Sequence, residues 1–502
     1  MTRGRTGRGS AVAAALTRWR NRRAARTAAR TAPATGFVSQ PEPRTIGLHA
    51  RGRQLVAGHF LMAGRLVEAP DAMLWDLGGT DPVFLAEAQG FGWLDDLAAV
   101  GDAAARRRAQ DWTWGWIARF GRGRGPGWTP DLTGRRLIRW INHALLLLNG
   151  QDRERHGAFF SALAAQVEFL ARRWPVAAPG LPRFEALTGL IYAGLALSGL
   201  HHHAGAAAAA LAAECTAEID AQGGIATRNP SELQEVLTLL TWAAQALGEA
   251  GRAVPPAHAA AIRRIAPCLR SLRHADGGLA RFHGGGRGAE GRLDQALAAS
   301  GTKGGAGAGP AMGFLRLASG RTTVIVDAAD PPGGAAGASA HASTLAFEMT
   351  SGRRPVIVNC GSGVPFGAVW RQAGRATVSH SVLALEGYSS SRFAPGQGQA
   401  LAERAHVVMA RPSHDAGGQG LTLAHDGWSR THGLTHTRTL HLSADGRRLT
   451  GQDALGPVTS GERARLSAEL LRRGAEELRY AVRFHLHPDV EAQVDLGSSA
   501  VS

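Results

Sequence analysis

The sequence predicts a two-part chain, an all-α region followed by an antiparallel β region. Three observations predict it. Between about residues 96 and 275, apolar side chains recur at spacings of three and four, as on one face of a helix. From 284 to 310 the chain turns glycine-rich and simple in composition, as a boundary would. Beyond 310, short apolar runs alternate with Gly and Pro turns, which is strand grammar.

Residues 1–32 hold nine arginines and no acidic residue. Without a sustained apolar period, 1–40 reads as a basic mobile tail, helical in part. A solvated arm is the simpler reading, and attraction to an anionic membrane or nucleic acid the other. A lone aromatic, Trp19, among the arginines is too little interleaving to favour nucleic acid, so no nucleic-acid partner is expected. Residues 41–95 are short segments broken by Gly and Pro. Helical periods then run through Leu137, Ile138, Ile141 and Leu145, and through Leu187, Leu190, Ile191 and Leu195. They return at Val236, Leu237 and Leu240, and at Ile262, Ile265 and Leu269. Several helices in succession without strands mean a helical domain, expected over 41–283. Trp112, Trp114 and Trp116 could stack on sugar rings, but their alternate spacing spreads them around a helix, so at least one belongs to the core.

The β-domain is expected over 311–502, with strands at 324–326, within 341–385, and at 405–409, 437–442 and 483–486. Phe347-Glu348-Met349 and Val356-Ile357-Val358 flank the turn Ser351-Gly352-Arg353-Arg354, which is a hairpin pattern. Periodicity does not separate a sandwich from a barrel. A chain of 502 residues is too long for one ordinary core, in keeping with two domains.

Composition bounds the partners. The net charge is +16, and 55 of the 56 basic residues are arginine. That is either a composition bias or a preference for anions, which arginine binds bidentately. Cys215, Cys268 and Cys360 are odd in number and far apart, neither a disulfide framework nor a zinc pattern. No run reaches the ~18 apolar residues of a membrane span. The N-terminus does not read as a secretory signal, because 11–16 is a short apolar stretch followed at once by Arg18 and Arg20.

The richest stretch is 341–393. It contains His341-Ala342, Leu345-Ala346-Phe347-Glu348, Val358-Asn359-Cys360-Gly361, Trp370-Arg371, Arg375-Ala376-Thr377 and His380-Ser381-Val382. This ordered set resembles the C-terminal β-domain of heparinase II/III-like polysaccharide lyases. The resemblance reaches back to Phe91-Gly92-Trp93-Leu94-Asp95-Asp96-Leu97 and covers roughly 40–490. It implies an (α/α) toroid followed by an antiparallel β-sandwich. It also implies more strands than follow Arg483-Phe484-His485, so the sandwich is expected to be incomplete at its C-terminus, with 491–502 as a fraying tail otherwise. It implies β-elimination across a uronic-acid linkage of an acidic polysaccharide, or a catalytically weakened binding protein on the same scaffold. The compartment stays open: the sequence suggests cytoplasm and the resemblance suggests periplasm or cell envelope.

Elimination needs the sugar carboxylate neutralised, a base for the adjacent proton and an acid for the leaving oxygen. His341 and His380 match the family's β-domain histidines and are expected in one cleft with Arg371 or Arg375. Those arginines either bind substrate anions or brace the loop. Active relatives carry an Asn in the helix matching 182–190 and a Tyr after the Gly-Gly turn; this chain has neither. Glu185, Glu232, Arg183 and Arg228 stand in those segments and are the replacement candidates, Glu185 and Glu232 as catalytic groups. Asn142 and His143 could supply an amide and an imidazole on a helix at 135–149. Tyr388, eight residues after His380, could reach the cleft or sit in a turn. No metal and no cofactor is expected, because Ser343 and Asn359 replace acids that relatives use as hard ligands. The run His201-His202-His203 tempts a metal reading, but consecutive helical residues diverge, so it is read as a helix C-terminal cap.

Overall fold

The computed structural model describes residues 5–32, 34–39, 43–79, 81–307, 309–393, 400–495 and 497, with side chains from residue 12 onward. Part of the expected tail at 491–502 lies outside the described residues. The chain forms two compact units. Unit 1 comprises Met1–Ile219, Glu235–Arg263 and Asp294–Gly301; unit 2 comprises Asp220–Gln234, Arg264–Leu293 and Thr302–Ser502. Helices come first and antiparallel sheets follow, as the sequence predicts.

Unit 1 opens with α1 (Arg5–Ala28) and α2 (His49–Val56), then a hairpin of β1 (His59–Met62) and β2 (Arg65–Glu68). Next come α3 (Pro82–Gln89), α4 (Gly92–Val100), α5 (Ala103–Phe120) and α6 (Pro130–Asn142). They are followed by α7 (Ala144–Leu148), α8 (Arg153–Arg173), α9 (Leu181–Ala196) and α10 (His202–Glu218). The basic N-terminal stretch is therefore a helix. It buries Asn21, Ala25 and Ala28, and Arg173 of α8 donates to the Asn21 amide oxygen at 2.8 Å. Asp81 caps α3, Asp102 caps α5 and Asp152 caps α8, each carboxylate accepting from first-turn N–H groups.

The core of unit 1 is aromatic. Trp93, Trp112, Trp116, Trp128 and Trp140 are buried with Phe60, Phe91 and Phe159. Trp112 and Trp116 thus serve packing rather than sugar stacking, and Trp114 lies 6.3 Å from the Phe159 ring. Arg136 is fully buried against this cluster, 4.1 Å over the Trp116 ring, donating to the Gln166 amide and to the carbonyls of Gln89 and Gly127. Burial without a contacting carboxylate pushes its pKa down to about 9.

The remaining helices of the N-terminal half are α11 (Pro230–Glu249), α12 (Pro256–Ser271) and α13 (Arg292–Ala299). The last lies inside the glycine-rich stretch expected to be a linker. Residues Asp220–Gln234 and Arg264–Leu293 pack in unit 2, although their sequence reads as part of the helical region.

Unit 2 has two main antiparallel sheets. The first contains β3 (Phe314–Ser319), β4 (Thr322–Asp327), β5 (Phe347–Ser351) and β6 (Arg354–Val358). Two further strands of this half are β7 (Leu383–Leu385) and β8 (Arg392–Phe393), and β9 (Leu401–Glu403) pairs with β8. The second sheet is a meander of β10 (Val407–Asp415), β11 (Gly418–Trp428), β12 (Leu434–Ser443) and β13 (Leu449–Gly456). After the helices α14 (Ala368–Ala373), α15 (Ser429–His432) and α16 (Ser460–Arg473) are counted, β14 (Tyr480–Val482) pairs with β7, and β15 (His485–Leu486) pairs with β6. The first sheet therefore runs β15-β6-β5-β4-β3. The β5–β6 hairpin turns where expected, with Gly352 at φ 57°, a conformation that costs most residues a steric clash.

Arg438 of β12 ties the layers together. Its guanidinium forks onto Asp453 of β13 at 2.8 and 2.9 Å and donates to the carbonyls of Leu345 and Ser381 at 3.0 Å. Beside it, a cleft of about 1090 Å³ opens between the sheets, lined by Arg321, Phe347, Arg354, Leu440, Arg447 and Phe484 among others.

In unit 1 the helices α6 and α9 meet at glycines. A Cβ on Gly189 would stand 2.5 Å from the Cα of Gly134. Gly189→Val should therefore destabilise the helical unit by roughly 1–3 kcal/mol, as overpacking does. A thermal melt followed by circular dichroism at 222 nm checks it, since unit 1 carries most of the helix.

Candidate functional site

The polar centre of unit 2 is built around Asp327, the last residue of the fully buried β4. Its Oδ1 accepts from Arg228 Nη2 at 2.5 Å, and its Oδ2 accepts from the Ser343 hydroxyl at 2.6 Å. Arg228 has a left-handed backbone, φ 51°, and spends its other donors on the carbonyls of Met312, Gly313, Ala329 and Asp330.

Three histidines extend from this pair. His283 Nε2 lies 3.5 Å from Asp327 Oδ2, and His283 Nδ1 accepts the backbone N–H of His341 at 3.1 Å. His341 Nδ1 lies 3.1 Å from His380 Nε2, and His380 Nδ1 lies 2.9 Å from the Ala376 carbonyl. A carbonyl can only accept, so His380 carries its proton on Nδ1 and presents a lone pair at Nε2. His341 must then donate from Nδ1, leaving Nε2 as its lone pair. His341 and His380 are 3% and 0% exposed. Burial pushes His380 down to about 4 against the pull of the Ala376 carbonyl and Asp327. Burial, with His380, His283 and Arg375 around it, also pushes His341 well below the ordinary histidine value.

The two histidines expected together do meet, and the structure buries them. Arg375 is buried, donating to the carbonyls of Ala340 at 2.7 Å and Gly337 at 3.2 Å while its guanidinium covers the Phe393 ring. Of the two roles open to it, bracing the loop is the one it performs. Arg371 differs. It sits on α14 beside Trp370, Val369 and Phe366, all strongly exposed. Tyr388 packs edge-on against His432 at 4.5 Å, and its carbonyl accepts from Trp428; it is a turn residue.

Glu232 lies in the first turn of α11 within unit 2, half-buried, its carboxyl pushed up by burial. Glu185, Arg183, Asn142 and His143 belong to unit 1. Glu185 pairs with Arg135 at 2.5 Å through Oε1, while Oε2 is buried without a hydrogen-bond partner. Burial pushes its carboxyl up to about 7, although Arg135 opposes the shift. Arg183 is committed to Glu214 at 2.9 Å and the Ala177 carbonyl, and Arg228 to Asp327, so neither is a free anion binder. The helix expected over 135–149 breaks at His143, which joins α6 to α7. The break turns the imidazole onto Asp95 at 2.9 Å and Thr45 at 3.2 Å. Burial raises the Asp95 carboxyl, but Arg139 and His143 outweigh it and hold Asp95 below its usual value. Asn142 is buried with neither amide atom hydrogen-bonded.

A divalent ion does not fit the Asp327 centre. The guanidinium of Arg228 and the hydroxyl of Ser343 occupy the carboxylate, and Asn359 spends its amide oxygen on the Ser381 N–H at 3.0 Å. Asp327 and His283 escaped the sequence reading, and Asp95 stood there only as part of a motif, without its pairing to His143. An acid ending an otherwise apolar run, Thr-Thr-Val-Ile-Val-Asp, was the one available signal for Asp327. The histidine run also corrects its expectation: His201 is the N-cap of α10, so His202 and His203 start a helix rather than end one.

Known proteins agree with this architecture. A family described as heparinase II/III-like, C-terminal, matches residues 301–502. A relative from Caulobacter vibrioides (strain NA1000 / CB15N), FtsZ-localized protein C, is 33% identical over 473 residues, spanning 91% of this chain and 79% of that protein. The chain belongs to the heparinase II/III-like family. Its fold is shared with a crystal structure of heparinase III at TM-score 0.58 and 12% identity, over 84% of this chain and 72% of that one. A second heparinase III structure gives TM-score 0.53 and 13% identity over the same shares. This heparinase II/III-like chain therefore shares the fold of the heparinase III structures.

Two outcomes follow from the buried centre. His380 is depressed from 6.5 to about 4. Its contribution is complete above pH ~6.5 and is lost as pH falls through about 4, an effect of about 3 kcal/mol. Urea midpoints for unit 2 should fall between pH 7 and 4.5; His283, His341, His425 and His436 are depressed too and act in the same direction, so His380→Gln should make that slope shallower without removing it. Asp453 is held at about 2 and acts only at lower pH. Separately, Arg228→Met leaves Asp327 buried without its cation and should cost about 3–5 kcal/mol in denaturant unfolding.

Proposed function

We propose that this chain binds an acidic, uronic-acid-containing polysaccharide on a lyase scaffold whose elimination chemistry is weakened. The carrying observation is the engagement of the histidine pair. His380 spends both ring nitrogens, on the Ala376 carbonyl and on His341, so only His341 Nε2 is left; both rings are buried, and Arg375, the arginine beside them, braces the loop. Depressed basicity makes each a poor proton acceptor.

Binding has a better-placed surface. Trp370 and Phe366 present exposed rings 6.3 Å apart, with Arg371 in the same short helix as Trp370. Aromatic faces suit the apolar side of a pyranose, and a guanidinium pairs with a carboxylate. The +16 net charge raises the local concentration of any polyanion. A second reading, residual β-elimination, is favoured by Glu185 alone, whose carboxyl near 7 and free Oε2 suit an acid or base. The name of the Caulobacter relative adds FtsZ-linked localisation as part of this proposal, readable with a fluorescent fusion.

Purified protein should retain uronic-acid polymers such as heparan sulfate or alginate on an affinity column. Trp370→Ala and Arg371→Ala should each weaken retention about five- to tenfold, and the Arg371→Ala effect should shrink at higher salt, where the charge it removes is screened. Ultraviolet absorbance of unsaturated uronate should stay flat. Sustained product formation, abolished by Glu185→Gln or His341→Ala, would establish the lyase reading instead.

A further inference from the structure

Unit 1 holds a cluster that neither the fold nor the polysaccharide reading uses. Glu168 stands on α8, and His202 and His203 open α10. One ligand atom from each lies within 4.8 Å of the other two. The imidazoles do not diverge: the rings of His202 and His203 are 3.9 Å apart at 42°, while His201 stands off at 6.2 Å from His202. At the first turn of a helix the chain has just left the N-cap, so neighbouring side chains are freer to converge than in a helix interior. The Glu168 carboxylate is divided. Its Oε1 faces His203 Nε2 at 3.3 Å, and its Oε2 is held by Arg172 at 3.3 Å.

We propose that Glu168, His202 and His203 form a binding site for a divalent transition-metal ion, with zinc as the type case. Two imidazole nitrogens and one carboxylate oxygen are the donors that zinc, nickel and copper(II) take, whereas calcium and magnesium want oxygen alone. The spacing fits. Metal–ligand bonds of about 2.0–2.1 Å at tetrahedral angles put donor atoms roughly 3.3–3.4 Å apart. The Glu168–His203 separation of 3.3 Å is already there. The widest separation, up to 4.8 Å, closes by rotating side chains, and His202 is exposed and free to turn. Glu168 and His203 are half-buried, which fixes two ligands while the third gives access. Arg172 holds Oε2 of Glu168 without occupying the oxygen that faces His203. With three protein ligands, the fourth position falls to water, the arrangement of an open rather than a closed site.

The test is isothermal titration of the full, untagged chain with zinc chloride in a non-chelating buffer. One zinc per chain should bind, and calcium at the same concentration should give no heat. His203→Ala and Glu168→Gln should each weaken zinc binding about tenfold or more, while His201→Ala leaves it unchanged. Melting curves without metal check that the variants fold; His203→Gln serves if the alanine variant does not. Absence of zinc binding to the wild type, equal binding by both ligand variants, or equal binding of calcium would each overturn the proposal.

Discussion

The ion pair between Arg228 and Asp327 is the constraint on which unit 2 depends. An ionised carboxylate at the end of a fully buried strand is expensive, and only a matched cation with its own donors satisfied makes it tolerable. Arg228 meets that requirement completely, with four backbone carbonyls around the remaining guanidinium hydrogens. The pair also recruits sequence-distant segments. Residues 220–234 are drawn into the β-rich unit by this side chain, and His274 does the same for the next helical segment by approaching Glu348 at 3.2 Å.

The histidines then inherit their state from that pair. His283 spans the gap between Asp327 and the His341 backbone, and His341 and His380 follow in a fixed order of donors and acceptors. Such a chain works only with neutral rings, because a second proton would put a donor against a donor. The same geometry that would orient a catalytic imidazole here holds the layers of a β-domain. The proposal of weakened chemistry rests on the burial of this one network.

Much of the fold was legible. Helical spacing at Leu187, Leu190, Ile191 and Leu195 marked α9, and Gly352 marked the β5–β6 turn, because each follows from local geometry. The long strand β11, Gly-Gln-Gly-Leu-Thr-Leu-Ala-His-Asp-Gly-Trp, went unseen because its glycines and acids read as loop, and only its two neighbours in the sheet make it a strand. At the site, the proximity of His341 and His380 was legible and their burial was not. Arg183, Arg228 and Arg375 looked like anion binders because charge is visible in a sequence while a partner hundreds of atoms away is not. His143 was placed mid-helix; its pairing with Asp95 needs the break between α6 and α7, which no local signal announces.

The meander sheet ends in β10, whose outer edge pairs with nothing among the described residues. Open edges are templates for strand addition from other molecules, the first step towards fibrils. This one carries its own deterrents. Arg411, Pro412, His414 and Asp415 are exposed along it, and proline withholds the N–H that an incoming strand would need. The register also slips between Val407 and Met409, bending the strand away from the flat form that stacks. The β10 edge is therefore a poor template for a second copy to extend the meander.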